Sequence, residues 1–128
     1  MAYFVLKALA RNGEYGLMTE LTFSEGEHSW GNMLREGATS CWEAWGKDQK
    51  WNTSFCHPWA SAPIIVMIED LAGITAAEPG FAKIGFEPRM PEWLGDIEMN
   101  FATVRGVIAA SRRNGEWTLT LNGENIIQ

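Results

Sequence analysis

Basic residues, cysteines and long apolar runs are all scarce in this chain. Ten lysines and arginines stand against sixteen acidic residues, which gives a formal net charge of −6. That balance disfavours binding to the phosphate backbone of a nucleic acid or to an anionic membrane surface. No segment reaches the roughly 18 apolar residues that a bilayer-spanning helix needs. We therefore expect neither nucleic acid nor a membrane as a partner.

Cysteine chemistry and phosphate binding have little support either. Cys41 and Cys56 either pair with each other or remain separate thiols, and the second arrangement is favoured because two cysteines imply no disulfide framework. Together with His57 they offer three possible ligands, but without the CxxC spacing that is typical of zinc sites. The 13 glycines are spread through turns and form no phosphate-binding loop. The sequence predicts no metal and no cofactor.

Aromatic residues, by contrast, concentrate in the stretch from Gly37 to Gly73. It holds four of the seven tryptophans, both cysteines and one of the two histidines. Flat aromatic faces stack on the C–H faces of sugars, while a carboxylate and an imidazole bind hydroxyl groups and transfer protons. The candidate site residues are Glu43, His57, Trp42, Trp45 and Trp59. On residues alone, a glutamate beside two tryptophans is more often a paired or half-exposed acid than a catalytic one.

The first third of the chain has helical periodicity. Apolar residues recur at spacings of three and four, and Asn12-Gly13 is a typical helix stop. Short links of this kind favour antiparallel neighbours, as in bundles and helical toroids. The predicted helices run from Ala2 to Arg11, from Glu14 or Tyr15 to Phe23, and from about Ser29 to Gly37.

A fourth helix follows a polar loop, Gly46 to Asn52. Ser61 is its expected N-cap and Pro63 lies in its first turn, where the missing N–H costs least. From Ile64 to Leu71 apolar residues cover almost every side, so the helix must be buried nearly all round. A chain of 128 residues has few elements to surround it. This pattern indicates a larger parent protein or self-association.

The last third alternates in the manner of strands. Ile97, Met99 and Phe101 alternate with polar residues, and two Asn-Gly pairs predict hairpins. Further strands are predicted from Phe81 to Phe86, from Val104 to Ser111, from Trp117 to Leu121 and at Ile126-Ile127. The expected fold is α+β, with a helical segment over residues 1–75 and an antiparallel β segment over residues 76–128.

Several motifs resemble one family of enzymes. GATSCWEAW, then CHPWASAP, an apolar helix, LAGI and EPGF are similar to the end of the catalytic domain of bacterial alpha-L-rhamnosidases. The resemblance covers most of the chain, from about Ala2 into the last strands. It implies an inverting glycoside hydrolase with an (α/α)6 toroid followed by a β-sandwich. The family's chains are several times longer, so the sequence resembles a fragment.

The resemblance also implies roles for the candidate residues. Glu43 matches the family's general base, which activates water in an inverting reaction. His57 matches a histidine that contacts rhamnose, with bracing of the helix start as the alternative. The three tryptophans would wall the sugar pocket, although core filling is slightly favoured for Trp45. The family's general acid lies on sequence that has no counterpart here, and Glu36, Glu69 and Asp70 stand in no matching motif.

Three functions remain open at this stage. The chain is a fragment of a hydrolase of terminal rhamnosides with little or no activity alone, a sugar-binding module, or a self-associating structural piece. The predicted partners are a carbohydrate ligand and a second copy of the chain. Residues 1–10 are predicted to form a helix rather than a signal peptide, which indicates a soluble protein of unassigned compartment.

Overall fold

The computed structural model describes residues 2–126 and confirms the α+β class. The chain divides into two compact units, the helical unit Met1–Leu71 and the β unit Ala72–Gln128. The boundary predicted from sequence, at residue 75, lies within the first strand of the β unit. None of the described helices is long and apolar enough to cross a membrane.

Three helices open the helical unit, at the positions that the periodicity predicts. They are α1 (Ala2–Arg11), α2 (Tyr15–Thr22) and α3 (Trp30–Arg35). Each of them buries apolar side chains, namely Leu6 and Ala10 on α1, Met18 on α2 and Met33 on α3. Ser29 caps α3, because its hydroxyl oxygen accepts the N–H of Asn32 at 3.0 Å.

The segment between α3 and the fourth helix is mostly irregular. The hydroxyl of Ser40 donates to the carbonyl of Phe55 across the loop. The residues after it are not helical, and the one helical turn of the segment is a 3₁₀ turn, Pro58–Ala60. Loop residues 46–52 are largely exposed, as predicted for a polar loop.

The fourth helix differs from the prediction in form and in burial. It begins as α4 (Ala62–Ile65) and continues as a π-helical segment, Val66–Leu71. Ser61 precedes it but makes no capping hydrogen bond. Val66 and Leu71 are buried, whereas Ile64 and Ile65 are exposed, so the helical unit covers one side of this apolar helix only.

An ion cluster accounts for the two acidic residues at the end of the π-helical segment. Their charges oppose the helix dipole, but the Nζ of Lys7 on α1 bonds Asp70 at 2.7 Å and Glu69 at 3.1 Å. Burial alone would lower the pKa of Lys7, yet the hydrogen bonds to Asp70 and Glu69 outweigh it and raise that pKa. The cluster ties the two ends of the helical unit together.

The β unit contains two antiparallel sheets. One pairs β1 (Ile74–Ala76) with β2 (Ile84–Phe86), and the other has the order β3-β4-β5-β6. The strands of the second sheet are β3 (Ile97–Thr103), β4 (Gly106–Arg113), β5 (Glu116–Leu121) and β6 (Glu124–Asn125). Both Asn-Gly hairpins are present, since Asn114 and Asn122 adopt positive φ angles of 52° and 53°.

Two predicted strands begin later than expected. Phe81 lies in the 3₁₀ turn Pro79–Phe81 before β2, and Val104 precedes the start of β4. Val104 and Arg105 form the turn between β3 and β4, because Thr103 accepts the N–H of Arg105 and closes the hairpin. Strand β1 was not predicted at all. Its residues follow Gly73, whose φ of 65° and close approach to the carbonyl of Glu87 leave no room for a side chain. The predicted strand residue Ile127 lies outside the described residues.

Candidate functional site

Two loop arms that run side by side position the candidate site. The N–H of Glu43 donates to the carbonyl of Ser54 at 2.9 Å, and the N–H of His57 donates to the carbonyl of Cys41 at 2.8 Å. Cys41 and Glu43 are two positions apart on one arm, whereas Ser54 and His57 are three positions apart on the other. The second arm therefore carries an extra residue, as in a β-bulge. Main-chain bonds therefore hold the backbone of Glu43 close to that of His57.

Aromatic contacts fix the same arms from the inside. Trp42 is buried and meets Phe55 edge to face, with ring centroids 5.0 Å apart. Trp45 packs edge to face on Trp30 at 4.8 Å, and Trp30 donates its indole N–H to the carbonyl of Ala60 at 2.7 Å. These rings brace the loop arms and leave their remaining surface facing a cavity.

All five predicted site residues line that cavity, which we name the Glu43 cavity. Its volume is about 240 Å³. Sites for drug-sized ligands span about 300–1,000 Å³, so the space suits a ligand no larger than a single sugar ring. The side chains around it are Ala2, Trp30, Met33, Trp42, Glu43, Trp45, His57, Trp59 and Ala60. Among the described residues, Glu43 is the one carboxylate in this lining.

Glu43 is held in its ionised form. The Nζ of Lys50 lies 2.5 Å from its Oε1, and the N–H of Ser54 donates to its Oε2 at 3.2 Å. The Lys50 bond, then the Ser54 bond and the nearby charge of His57 hold the pKa of this carboxyl below its usual value. A carboxylate with a low pKa is a proton acceptor rather than a proton donor at neutral pH.

His57 and Trp59 are placed differently from the other site residues. His57 precedes the 3₁₀ turn, but its imidazole makes no capping hydrogen bond, so the alternative of a helix-capping role lacks support. Trp59 is 80% exposed and forms an outer wall of the cavity. It is therefore open to a ligand, unlike the buried Trp42.

Other carboxylates of the helical unit are engaged elsewhere. The N–H of Lys47 and the side-chain amide of Asn32 both donate to Glu36 at 2.9 Å, and they lower its pKa. Glu69 and Asp70 pair with Lys7. These three acids do not line the Glu43 cavity, so none of them is positioned to donate a proton there.

Lys50, Ser54 and Trp30 are functional neighbours that the sequence interpretation missed. Lys50 lies in the segment predicted as a polar loop, Gly46 to Asn52. The Lys50–Glu43 and Trp30–Trp45 contacts join residues seven or more positions apart. Such contacts have no periodicity in the sequence, so only the path of the loop reveals them.

The two cysteines are free thiols, Cys41 half-buried and Cys56 exposed. They remain separate, and this is the arrangement that the sequence analysis favoured. Within residues 2–126, no cluster of three or more His, Cys, Asp or Glu side chains is arranged to hold a metal ion.

Comparison with known proteins relates this geometry to one family. Residues 2–71 match the family model described as the bacterial alpha-L-rhamnosidase 6 hairpin glycosidase domain. A curated alpha-L-rhamnosidase from Alteromonas sp. (strain LOR) is 29% identical over 125 aligned positions. The alignment covers 92% of this chain but only 13% of the length of that relative. No solved structure matches the chain.

Proposed function

Because this chain belongs to the bacterial alpha-L-rhamnosidase 6 hairpin glycosidase family, we propose that it supplies the general base of an inverting glycoside hydrolase that acts on terminal rhamnosides. The observation that carries the proposal is the Glu43 cavity, where one ionised carboxylate faces several indoles and an imidazole. Aromatic walls and a single base suit one sugar ring and one attacking water.

Glu43 acts on water in this proposal. Its carboxylate takes a proton from the water while the water oxygen attacks the anomeric carbon, and the bond from that carbon to the leaving oxygen breaks. Each carboxylate oxygen has two acceptor sites. Lys50 occupies one site on Oε1 and Ser54 one site on Oε2, so each oxygen retains capacity to accept from water.

The remaining residues of the cavity bind and orient the sugar. Trp59, the exposed wall, offers its indole face to the C–H face of the ring. His57 lies close enough to lower the pKa of Glu43, and its imidazole is available to a sugar hydroxyl. Trp42 and Trp45 keep the cavity in shape through their edge-to-face contacts.

A second carboxyl group must protonate the leaving oxygen. In inverting enzymes it lies about 6.5–9.5 Å from the base. Within residues 2–126 no second carboxylate lines the cavity, and Glu36 is held ionised by its hydrogen bonds. We propose that the general acid comes from another part of a longer hydrolase. The 128-residue chain alone then binds the sugar with little or no hydrolysis.

The test is a titration of the chain with L-rhamnose, followed by NMR through the indole N–H signals. Signals of Trp42, Trp45 and Trp59 should shift saturably, whereas that of Trp51, which is 95% exposed and outside the cavity, should not. Glu43→Gln should weaken binding. Glu98→Gln is the matched control, because it breaks an exposed ion pair in the β unit.

Hydrolysis is measured in parallel with an aryl alpha-L-rhamnoside. Release of rhamnose by the chain alone, abolished by Glu43→Gln, would contradict an external general acid but support the assigned base. Absence of both binding and hydrolysis would contradict the assignment of the cavity. Saturable binding that Glu43→Gln leaves unchanged would favour a sugar-binding module without a catalytic base.

A second candidate function is self-association of the helical unit. The apolar helix α4 borders a cavity of about 450 Å³ lined mainly by apolar side chains, among them Leu34 and Ile64, which are 72% and 54% exposed. Neighbouring exposed apolar residues of this size mark an interaction surface. We propose that a second copy of the chain covers this face when the chain is isolated.

A further inference from the structure

A second cavity, in the β unit, is built around a buried arginine. Arg112 lies on β4 and is only 7% exposed. Its Nη1 donates to the carbonyls of Pro91 and Gly95, both at 3.2 Å. These bonds fix the guanidinium under the loop that precedes β3. The arginine side chain, which is flexible when free, is therefore held in one position.

Part of the guanidinium has no partner in the protein. Nε and Nη2 of Arg112 make no hydrogen bond to any residue in the range 2–126. No fully buried side-chain nitrogen or oxygen in that range lacks a partner, so these two nitrogens retain some access to solvent. Arg112 lines a cavity of about 340 Å³, the Arg112 cavity, together with Glu92, Gly95, Asp96, Asn114 and Gly115.

The charges around the cavity restrict the kind of ligand that can bind there. A free anion would pair with Arg112 but would be repelled by Glu92 and Asp96. A cation would be attracted by the two carboxylates but repelled by Arg112. A neutral ligand with several hydroxyl groups avoids both, because each hydroxyl accepts from the guanidinium and donates to a carboxylate. The amide of Asn114 adds one more donor and acceptor at the same opening.

Hydrogen bonds fix the main chain around the Arg112 cavity. The N–H of Asn114 donates to Asp96 at 2.9 Å, and Arg113 approaches the same carboxylate at 3.8 Å. These contacts hold one wall of the cavity, and the bonds of Arg112 hold the other. A preorganised set of donors and acceptors loses little freedom when a ligand binds.

We propose that the Arg112 cavity is a second carbohydrate-binding site, which takes a neutral sugar through Arg112, Glu92, Asp96 and Asn114. It lies in the β unit and does not depend on the role proposed for Glu43. Trp93 follows Glu92 in the turn Glu92–Leu94, and its exposed indole is available to a sugar unit that extends beyond the cavity.

The experiment uses the whole chain, with L-rhamnose, D-glucose and inorganic phosphate as separate probes. NMR follows the side-chain Nε–H of Arg112 and the indole N–H of Trp93. We expect at least one sugar to shift both signals saturably, and phosphate to shift neither. Glu92→Gln and Asn114→Gly should each weaken that binding by about five- to tenfold.

Asn114→Gly removes the amide but keeps a residue that tolerates the positive φ, so the hairpin is preserved. Glu124→Gln, on β6 of the same sheet but outside the cavity, is the control and should leave the affinity unchanged. Arg112→Lys should abolish the sugar-induced shift of the Trp93 indole N–H signal. If this variant does not fold, the affinities of Glu92→Gln and Asn114→Gly alone test the proposal.

Two sets of outcomes separate this site from the Glu43 cavity. Shifts at Arg112 and Trp93 that persist in Glu43→Gln would support a second site even if the proposed function fails. A response to phosphate alone, or to no probe, would overturn the proposal. Sugar shifts confined to the tryptophans of the Glu43 cavity would also overturn it and leave the proposed function intact.

Discussion

The ionisation of Glu43 depends chiefly on a single neighbour, Lys50. Their contact of 2.5 Å is the largest cause of the lowered pKa of Glu43, ahead of the bond from Ser54. Because the folded pKa is lower than the unfolded one, the pair stabilises the fold above the usual glutamate pKa. That contribution is lost as the pH falls through the lowered value. The carboxylate therefore stays ionised to a lower pH than an ordinary glutamate does.

Lys50→Met should raise the pKa of Glu43 towards its usual value, because the strongest hydrogen bond and the nearest positive charge are both removed. The measurement is an NMR titration of the Glu43 side-chain carboxyl carbon. Lys47→Met is the matched control from the same loop, since Lys47 acts on Glu36 and not on Glu43. Equal shifts in both variants would show that only the general charge of the loop matters.

At the level of single elements, the helix caps provide a matched pair of serines. Ser29 is buried, and its hydroxyl accepts from Asn32 and donates to the carbonyl of Gly26 at 2.6 Å. Ser61 occupies the equivalent position before α4 without a capping bond. Ser29→Ala should lower the free energy of unfolding by about 1 kcal/mol, whereas Ser61→Ala should change it little. Urea denaturation measures both, and equal losses would refute a capping role for Ser29.

The ion cluster on the π-helical segment gives a second comparison between elements. Asp70 is 13% exposed and Glu69 is 49% exposed, although both pair with Lys7. Asp70→Asn should destabilise the helical unit by about 1–2 kcal/mol, because it removes the better shielded partner of Lys7. Glu69→Gln should cost less than about 0.5 kcal/mol. Thermal and urea unfolding of both variants would test this order, and a larger loss for Glu69→Gln would contradict it.

Elements with a strong apolar periodicity could be predicted from sequence. Elements whose form depends on tertiary or side-chain contacts could not. The spacing of apolar residues predicted α1 to α3. Alternation predicted β3 and β5, and the two Asn-Gly pairs predicted the hairpins on either side of β5. The sequence of Val104 and Arg105 has no turn signal, because the turn is closed by the side chain of Thr103. The π-helical form of Val66–Leu71 also has no sequence signal.

Sequence could predict which residues gather around one cavity, but it could not predict the electrostatics of that cavity. Aromatic concentration and family resemblance singled out five residues that line one cavity. The Lys50 contact depends on how the loop from residue 46 to residue 52 folds back, and local sequence does not encode that path. Their roles in sugar binding stay predictions until the titrations are done.

At the scale of the whole molecule, the exposed apolar face beside α4 governs behaviour in solution. We expect light scattering over about a tenfold concentration range to show an increase in mass. Ile64→Glu and Leu34→Glu should reduce that increase, because each places a charge on the face. Val104→Glu is the control, since Val104 is an exposed apolar residue in a turn of the β unit. A mass independent of concentration would exclude the second copy as the partner of this face.

The main-chain bonds between the two loop arms have a consequence for evolution. Carbonyl and N–H groups make the ties from Glu43 to Ser54 and from His57 to Cys41, so they survive most side-chain replacements. The loop tip between the arms is then free to change in sequence and length while Glu43 and His57 keep their places. Related proteins with altered tips would be expected to diversify in the sugars they accept, with loss of the Lys50 pair as the main chemical change.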